Sequence, residues 1–189
     1  SIDSGAKNVT IEIEHGGTTF IRVTDDGSGI EKSELKKALL PHATSKISKA
    51  SDLDNIVTLG FRGEALASIA SVSKITIISK PQNQENGASI HAEGGVMEDV
   101  TDCAAANGTV ITVNNLFFNT PAREKFLKTP KGEESDISAY IARFILGNLD
   151  VAFKFVADGK TVYQSYGDGL ESAMACVYGA GILENCYYI

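Results

Sequence analysis

The 189-residue sequence predicts an α+β fold, in which a mixed, mostly antiparallel sheet carries helices on one face. Near its start, residues 9–13 and 20–24 alternate apolar with polar side chains and flank Gly16–Gly17, which predicts a β-hairpin. Near its end, Asp158–Gly159 separates two further apolar runs and predicts a second hairpin. A parallel βαβ array would require helices and strands to alternate regularly, and between the two hairpins they do not.

A short helix and a long connection follow the first hairpin. Ser33 is a good N-cap, and Leu35 and Leu39 recur at helical spacing, so a helix is predicted to start at Ser33. Pro41 is predicted to end it. Residues 41–59 are polar and irregular, and a connection of this length is typical of a functional lid.

The middle of the chain predicts one helix and several strands. Small apolar residues at 64–72 predict a buried helix, and the β-branched run 74–79 predicts a strand. A polar turn is predicted at 81–87. The strands predicted after it are residues 88–92, 96–100 and 109–113.

The last third predicts three helices and the second hairpin. Thr120 and Pro121 resemble the start of a helix. Residues 135–146 predict an amphipathic helix ended by Gly147, with one apolar face formed by Ile137, Tyr140, Ile141, Phe144 and Ile145. The strands of the hairpin are predicted at 151–156 and 161–166, and a last helix at 169–177.

Composition excludes several classes of protein. With 43% apolar residues and a net charge of −7, the chain is neither disordered nor basic overall. Local basic stretches occur at 36–49 and 123–131, and a solvated surface explains them at least as well as a binding site. The sequence contains no run of about 18 apolar residues, so no membrane span is predicted. Three cysteines without CxxC spacing argue against disulfides or zinc and favour an intracellular location, cytoplasmic or, in a eukaryote, nuclear.

One candidate binding motif is Asp25-x-Gly27-x-Gly29, at the end of a predicted strand. A carboxylate accepts hydrogen bonds, for example from the exocyclic amine of adenine. Glycines allow positive φ and a close approach of the backbone to a planar ligand. By itself the motif is better explained by a turn after a strand.

A second candidate is the turn Gly60–Phe61–Arg62–Gly63, which directly precedes a helix. Backbone amides at such a helix start can face an anion. Arg62 can contact phosphate or anchor the structure, and these alternatives stay open. Glu64 is better explained as a capping residue than as a catalytic one.

Two weaker signals complete the set. In the predicted lid, Lys46 can reach phosphate oxygens, and Thr44 and Ser45 can add donors, although in isolation a solvated loop lysine is the better explanation. Thr109 follows Gly108 at a strand start and can hydrogen-bond a ligand, a water or a carboxylate. Other nucleotide motifs are broken: Lys154 replaces the first glycine of a P-loop, and Lys32 replaces the third glycine of a dinucleotide fingerprint, which disfavours a nicotinamide-dependent oxidoreductase.

Three long blocks in this order, residues 42–47, 58–73 and 115–127, resemble signature blocks of MutL-type DNA mismatch repair proteins. These proteins belong to the GHKL superfamily, with gyrase-type topoisomerases, heat-shock chaperones and histidine kinases. The resemblance extends from Ser1 to about Glu184. It implies a Bergerat-type two-layer α/β sandwich that binds ATP with Mg²⁺ and hydrolyses ATP.

The resemblance also implies partners and site residues. Nucleotide binding would close the lid and favour dimerisation, as a homodimer or a paralogue heterodimer, in a protein that works with DNA and a MutS-type mismatch recognition protein and not with a membrane. Asp25 would bind the adenine amine beside Gly27 and Gly29, with Thr109 supporting that end of the pocket. The nucleotide's phosphates would be held by Thr44, Ser45, Lys46, Gly60, Phe61, Arg62, Gly63, Glu64, Ala65 and Leu66.

The sequence departs from the family pattern at its start. Residues 1–4 match only the end of the family's first motif, with Ser4 in an alanine position. The general-base glutamate and the Mg²⁺-binding asparagine are therefore expected upstream of Ser1, and neither Glu12, Glu14 nor Glu64 is assigned their roles. We expect an ATP-binding domain at residues 1–180 that lacks its first helix and is itself inactive, followed at 181–189 by the start of another domain. A nucleotide-binding module without hydrolysis, or another GHKL ATPase, is the alternative.

A second departure is Asp26, which stands where the family often has asparagine. It would add negative charge near the pocket, with an effect that the sequence does not define.

Overall fold

The computed structural model describes residues 1–41 and 64–186. In this part of the chain, nine strands form one sheet in the order β5-β4-β3-β7-β2-β1-β8-β9, with β6 also paired to β4. The strands are β1 Asn8–Glu14, β2 Phe20–Asp25, β3 Lys74–Lys80, β4 Gly87–Glu93, β5 Val96–Met97, β6 Thr101–Cys103, β7 Gly108–Asn114, β8 Ala152–Ala157 and β9 Lys160–Gln164. Among them only β1 and β8 pair in parallel, so the predicted mixed, mostly antiparallel sheet is confirmed.

Helices cover one face of this sheet, and four of the five described helices bury residues against it. The five described helices are α1 Leu35–Ala38, α2 Ala65–Ala70, α3 Pro121–Glu124, α4 Pro130–Gly147 and α5 Leu170–Tyr178. Strand register explains the choice of face: Ile11 is paired with Val23 on one side and with Phe155 on the other, so their side chains project together. The predicted two-layer arrangement is therefore confirmed.

Two apolar clusters fill the space between the layers. One lies under α4 and α5 and includes Ile145 and the fully buried Phe155. The other lies under α1 and α2 and includes the fully buried Leu35 and Ile75. Ile21, in the middle of the sheet, packs against both clusters, so the core is continuous.

The helix predicted to start at Ser33 begins too early and is too long. Ser33 lies inside a 3₁₀ turn, Lys32–Glu34, and α1 is a single turn that begins at Leu35. Neither turn is capped by a side chain. Burial of Leu35 and Leu39 holds this segment in place, so packing rather than capping fixes where the helix begins.

Two further predictions need correction in the middle of the chain. The helix predicted to be buried over 64–72 spans only Ala65–Ala70, and Ala70 is its one buried residue, because a single turn-and-a-half presents only one side to the core. The strand predicted over 96–100 is observed only at Val96–Met97, which is β5, and a further short strand, β6, begins after it at Thr101. These two strands pair with opposite ends of β4. The predicted lid at 41–59 lies outside the described residues, apart from Pro41.

Helix α4 begins five residues before its predicted start. Thr129 is the N-cap, and its hydroxyl accepts a hydrogen bond from the backbone N–H of Gly132 at 3.3 Å. Pro130 occupies the first helical position, which it tolerates because that N–H has no helical partner. Tyr140, predicted on the buried face, is 62% exposed because it lies at the edge of the apolar stripe.

Candidate functional site

A row of polar side chains crosses the sheet at one end of its otherwise apolar covered face. Asp25 on β2 is paired with Thr109 on β7, and Thr109 is paired with Ser79 on β3. Side-chain alternation puts all three on the face that carries the core. The Asp25 side chain is 8% exposed, Thr109 is 8% exposed and Ser79 is 1% exposed. The sequence-predicted Asp25 and Thr109 are thus direct cross-strand neighbours.

The Asp25 carboxylate is held at the point where β2 leaves the sheet. Its Oδ1 accepts a hydrogen bond from the backbone N–H of Gly27 at 3.0 Å, and its Oδ2 accepts one from the Ser1 hydroxyl at 2.6 Å. An ionised carboxylate has about four lone-pair sites, so these two bonds leave acceptor capacity for a ligand.

The two glycines that follow Asp25 are required for different reasons. Gly29 has a φ of +75°, and a Cβ there would lie 2.5 Å from the carbonyl oxygen of Lys80. Gly27 does not adopt positive φ, contrary to the prediction. It is buried, and a Cβ at Gly27 would collide with the Ser4 hydroxyl. The loop therefore depends on close packing at Gly27 and on backbone conformation at Gly29.

Gly108 allows Thr109 to lie in the row beside Asp25. Its φ is +107°, and a Cβ would collide with the carbonyl oxygen of Asp25. The absence of a side chain lets the start of β7 pack directly against the end of β2. This close approach fixes Thr109 beside Asp25.

Sequence reasoning missed Ser79, which is the most connected side chain of the row. Its hydroxyl accepts from the Ile30 N–H at 2.8 Å, donates to the Gly108 carbonyl at 2.9 Å and lies 2.9 Å from the Thr109 hydroxyl. The signal was present: Ile75, Ile77 and Ser79 occupy alternate positions of β3, so a serine stands where the pattern calls for an apolar residue.

A cleft of about 280 Å³ opens beside the glycine loop. It is lined by Ser4, Gly5, Asp26, Gly27, Ser28, Gln82 and Asn83. This space lies next to the loop that follows Asp25, and none of the three row residues lines it.

Asp26 has a structural environment that differs from that of Asp25. Its Oδ1 accepts from the backbone N–H groups of Lys7 and Asn8, each at 2.8 Å, and its Oδ2 accepts from the Asn8 side chain at 2.7 Å. Burial alone would raise the pKa of Asp26, but the hydrogen bonds from Asn8 and Lys7 outweigh it and hold the pKa below its usual value. Its charge is thus bound to the start of β1, although the residue also lines the cleft.

Two described glutamates near the start of the chain lie away from the row. Glu12 and Glu14 alternate with the buried Ile11 and Ile13, so their side chains project from the opposite face of the sheet. Glu12 forms an ion pair with Arg22 at 2.6 Å, and the hydrogen bond from Arg22 lowers the pKa of Glu12. Neither glutamate can act on a ligand held beside Asp25.

The remaining predicted residues divide into two groups. Glu64, Ala65 and Leu66 lie at the start of α2, where Ala65 is exposed and Leu66 packs against the second core cluster. The residues outside the described part of the chain are Thr44, Ser45, Lys46, Gly60, Phe61, Arg62 and Gly63. The structure therefore brings together Asp25, Gly27, Gly29 and Thr109.

A family model described as "Histidine kinase-, DNA gyrase B-, and HSP90-like ATPase" matches residues 1–112, more than half of the chain and all of the polar row. The chain belongs to this GHKL ATPase family. The buried acidic residue thus lies in a GHKL ATPase domain, together with the glycine loop and the cross-strand threonine.

Within the GHKL family, the chain is similar to MutL proteins, which confirms the resemblance found in the sequence. The chain is 47% identical over 189 residues to the DNA mismatch repair protein MutL of Clostridium botulinum strain Eklund 17B, covering all of this chain and 28% of that protein. It is 49% identical over 189 residues to MutL of Clostridium tetani, covering all of this chain and 30% of that protein. The chain thus spans less than a third of the curated relatives it matches.

Solved GHKL structures agree with the fold. The Aquifex aeolicus MutL ATPase domain complexed with ADP superposes with a TM-score of 0.74 at 29% identity, covering 94% of this chain and 63% of that one. That relative is a nucleotide-bound MutL domain, which bears on the function proposed below.

Neither a metal site nor a membrane span is found in the part of the chain that the structure describes. No three His, Cys, Asp or Glu side chains there lie close enough to hold a metal ion. No helix there is both long and apolar enough to cross a membrane.

Proposed function

We propose that this GHKL domain binds adenine nucleotide at the polar row and serves as the ATP-binding part of a MutL-type mismatch repair ATPase. The observation that carries the proposal is the Asp25 carboxylate, only 8% exposed, in a buried polar row at one end of the apolar core face. Burying an ionised group is costly unless hydrogen bonds compensate for lost water. A ligand amine would supply such a bond, worth roughly 1.5–3 kcal/mol when one partner is charged.

The neighbouring residues define how the purine would lie. Thr109 is next to Asp25 across the strand pair, and Gly27 and Gly29, which carry no side chains, lie in the loop that follows Asp25. The base would fit between these elements, and the rest of the nucleotide would extend towards the phosphate-binding segments. We propose residues 44–46 and 60–66 for the phosphates, as the family resemblance implies.

The activity of the whole protein is part of the same proposal. It would hydrolyse ATP to ADP and phosphate, dimerise on binding ATP and act with DNA and a MutS-type protein in an intracellular setting. Mg²⁺ would accompany ATP, and by the family resemblance its asparagine ligand would lie upstream of Ser1, so no residue of this chain is assigned to it. We assign no general base, because the described glutamates of β1 face away from the row.

Replacement of Asp25 by asparagine tests the proposal. D25N keeps the volume of the side chain but turns one acceptor oxygen into an N–H donor, which would face the amine of adenine. We expect the affinity of the full-length protein for ADP to fall by about tenfold or more, since at least one charge-assisted hydrogen bond is lost. Isothermal titration calorimetry with ADP measures the change.

The adjacent carboxylate supplies a matched control. D26N makes the same chemical change one residue away, where the carboxylate binds Lys7 and Asn8 rather than the row. We expect D26N to bind ADP with nearly unchanged affinity. Equal affinity of D25N and the unsubstituted protein would contradict the assignment of Asp25.

A further inference from the structure

We infer that Ser79 is a positioning residue that makes the Thr109 hydroxyl a hydrogen-bond acceptor towards the ligand, so that the site selects 6-amino purines over 6-oxo purines. This rests on the proposed nucleotide site and adds a specificity device to it. The device consists of three contacts to one buried hydroxyl group.

The first contact determines where the Ser79 proton goes. Ser79 Oγ lies 2.9 Å from the Gly108 carbonyl oxygen. A carbonyl can only accept, and two oxygens at this distance repel each other unless a proton lies between them. The single hydroxyl proton of Ser79 is therefore donated to Gly108.

The other two contacts determine the direction of the Thr109 bond. The backbone N–H of Ile30 donates to Ser79 Oγ at 2.8 Å and occupies one lone pair. Thr109 Oγ1 lies 2.9 Å from the same oxygen, and Ser79 has no second proton to offer it. Thr109 must therefore be the donor, and its own proton is directed away from Asp25 towards β3.

The result is a ligand-facing edge made only of acceptors. Thr109 has lone pairs but no proton left for a ligand, and its cross-strand neighbour Asp25 is an acceptor when ionised. An amine at position 6 of the purine matches this edge, either directly or through a water. An oxo group at that position would bring oxygen lone pairs against oxygen lone pairs and leave buried acceptors unpaired, which is how polar sites reject close analogues.

Ser79 also links this edge to the glycine loop. The bond from Ile30 ties the residue after Gly29 to β3, and the bond to Gly108 ties the start of β7 to the same side chain. Because Ser79 is only 1% exposed, water cannot replace its hydroxyl in any of these bonds. One serine thus sets both the position of the loop and the polarity of Thr109.

Titrations of the full-length protein with ADP and IDP test the inference, because hypoxanthine carries an oxo acceptor where adenine carries the amine. In S79A, the Thr109 hydroxyl is released and can turn its proton towards the ligand. We expect the ratio of the IDP to the ADP dissociation constants to fall by about tenfold, the factor for one ordinary hydrogen bond. A loss of general stability would weaken both nucleotides together and leave this ratio unchanged.

A double-mutant cycle shows whether Ser79 acts through Thr109. T109V removes the hydroxyl at nearly constant volume, so adding S79A to T109V is expected to change the ratio by less than about twofold. S79C keeps a group of similar size with much weaker hydrogen bonding and is expected to lower the ratio in the same direction, which decides the matter if S79A does not fold. An unchanged ratio in S79A, or in S79C when S79A is unfolded, would overturn the inference, as would an equal fall with and without Thr109.

The outcome for the nucleotide site itself is read separately. If the unsubstituted protein fails to bind ADP, or D25N binds as well as it does, the proposed function fails. If ADP binding depends on Asp25 but the ADP-to-IDP preference does not depend on Ser79, only the role of Ser79 is rejected.

Discussion

At the scale of single residues, two adjacent aspartates have opposite roles because successive strand side chains project in different directions. Asp25 joins the buried row with Thr109, whereas Asp26 accepts three hydrogen bonds from Lys7 and Asn8 at the start of β1. The sequence marked Asp26 as extra charge near the pocket. In the structure this charge accepts hydrogen bonds from Lys7 and Asn8, so Asp26 stabilises the pairing of β1 with β2.

Asp26 makes stability depend on pH in a defined direction. Because its pKa is lower in the folded chain than the unfolded value of 3.8, the folded state favours the ionised group. The stabilisation is therefore complete above pH 3.8 and is lost as pH falls through the lower folded pKa. We expect D26N to reduce the free energy of unfolding at pH 7 and to differ less from the unsubstituted protein as the pH drops below 3.8, as measured by urea unfolding across this range. A constant difference down to the lowest pH would contradict the assignment.

At the scale of elements, capping explains one helix that sequence reasoning placed too late. The prediction for α4 followed apolar periodicity, which starts only at Ile137, and so missed the polar first turns. Thr129 and Pro130 carry the start signal, and the same pair of residue types occurs at Thr120 and Pro121 before α3. Of these two threonines, only Thr129 makes a side-chain cap bond. The same motif is therefore expected to contribute more to the stability of α4 than to that of α3.

This difference is testable with matched substitutions. T129A removes the acceptor for the Gly132 N–H and is expected to lower the free energy of unfolding by about 1 kcal/mol, the usual value of a lost N-cap. T120A removes a hydroxyl that makes no cap bond, only a long 3.5 Å bond to the Phe117 carbonyl, and is expected to cost less than about 0.5 kcal/mol. Thermal or urea unfolding of the three proteins measures both values. Equal losses would show that the cap of α4 has no special weight.

At the scale of the whole molecule, the parallel pairing of β8 with β1 joins the C-terminal hairpin to the N-terminal one. Phe155, at the centre of β8, is completely buried against the layer formed by α4 and α5. The sheet that holds the polar row in register is therefore stabilised by residues far from the row along the chain. Phe126, by contrast, is 89% exposed after α3.

The same substitution at these two phenylalanines tests the contribution of the core. F155A leaves a large cavity in the first cluster and is expected to cost about 3–5 kcal/mol. F126A removes an exposed side chain and is expected to change stability by less than about 0.5 kcal/mol. Chemical denaturation measures both. A loss of less than about 1 kcal/mol in F155A would show that the first cluster does not support the sheet.

Local patterns anticipated much of this architecture. The two hairpins, the strand at 74–80 and the last helix follow from alternation, turn residues and helical spacing, which are properties of neighbouring residues. The single-turn α1 and the end of β5 at Met97, before β6 begins at Thr101, did not follow, because burial of Leu35 and pairing with β4 decided them. Part of the candidate site was also visible locally: Asp25 and its glycines form a compact motif, and Thr109 follows a glycine at a strand start.

The sequence by itself determined the family, the order of the elements and the acidic residue at the end of β2, since each is written in contiguous residues. Only the tertiary structure decided that Asp25, Thr109 and Ser79 form one row and that Gly27 is required for space rather than for its φ. It also decided that Asp26 binds β1. The physical reason is that strand register and close packing join residues that are far apart along the chain, 84 positions for Asp25 and Thr109, and no local pattern encodes that distance.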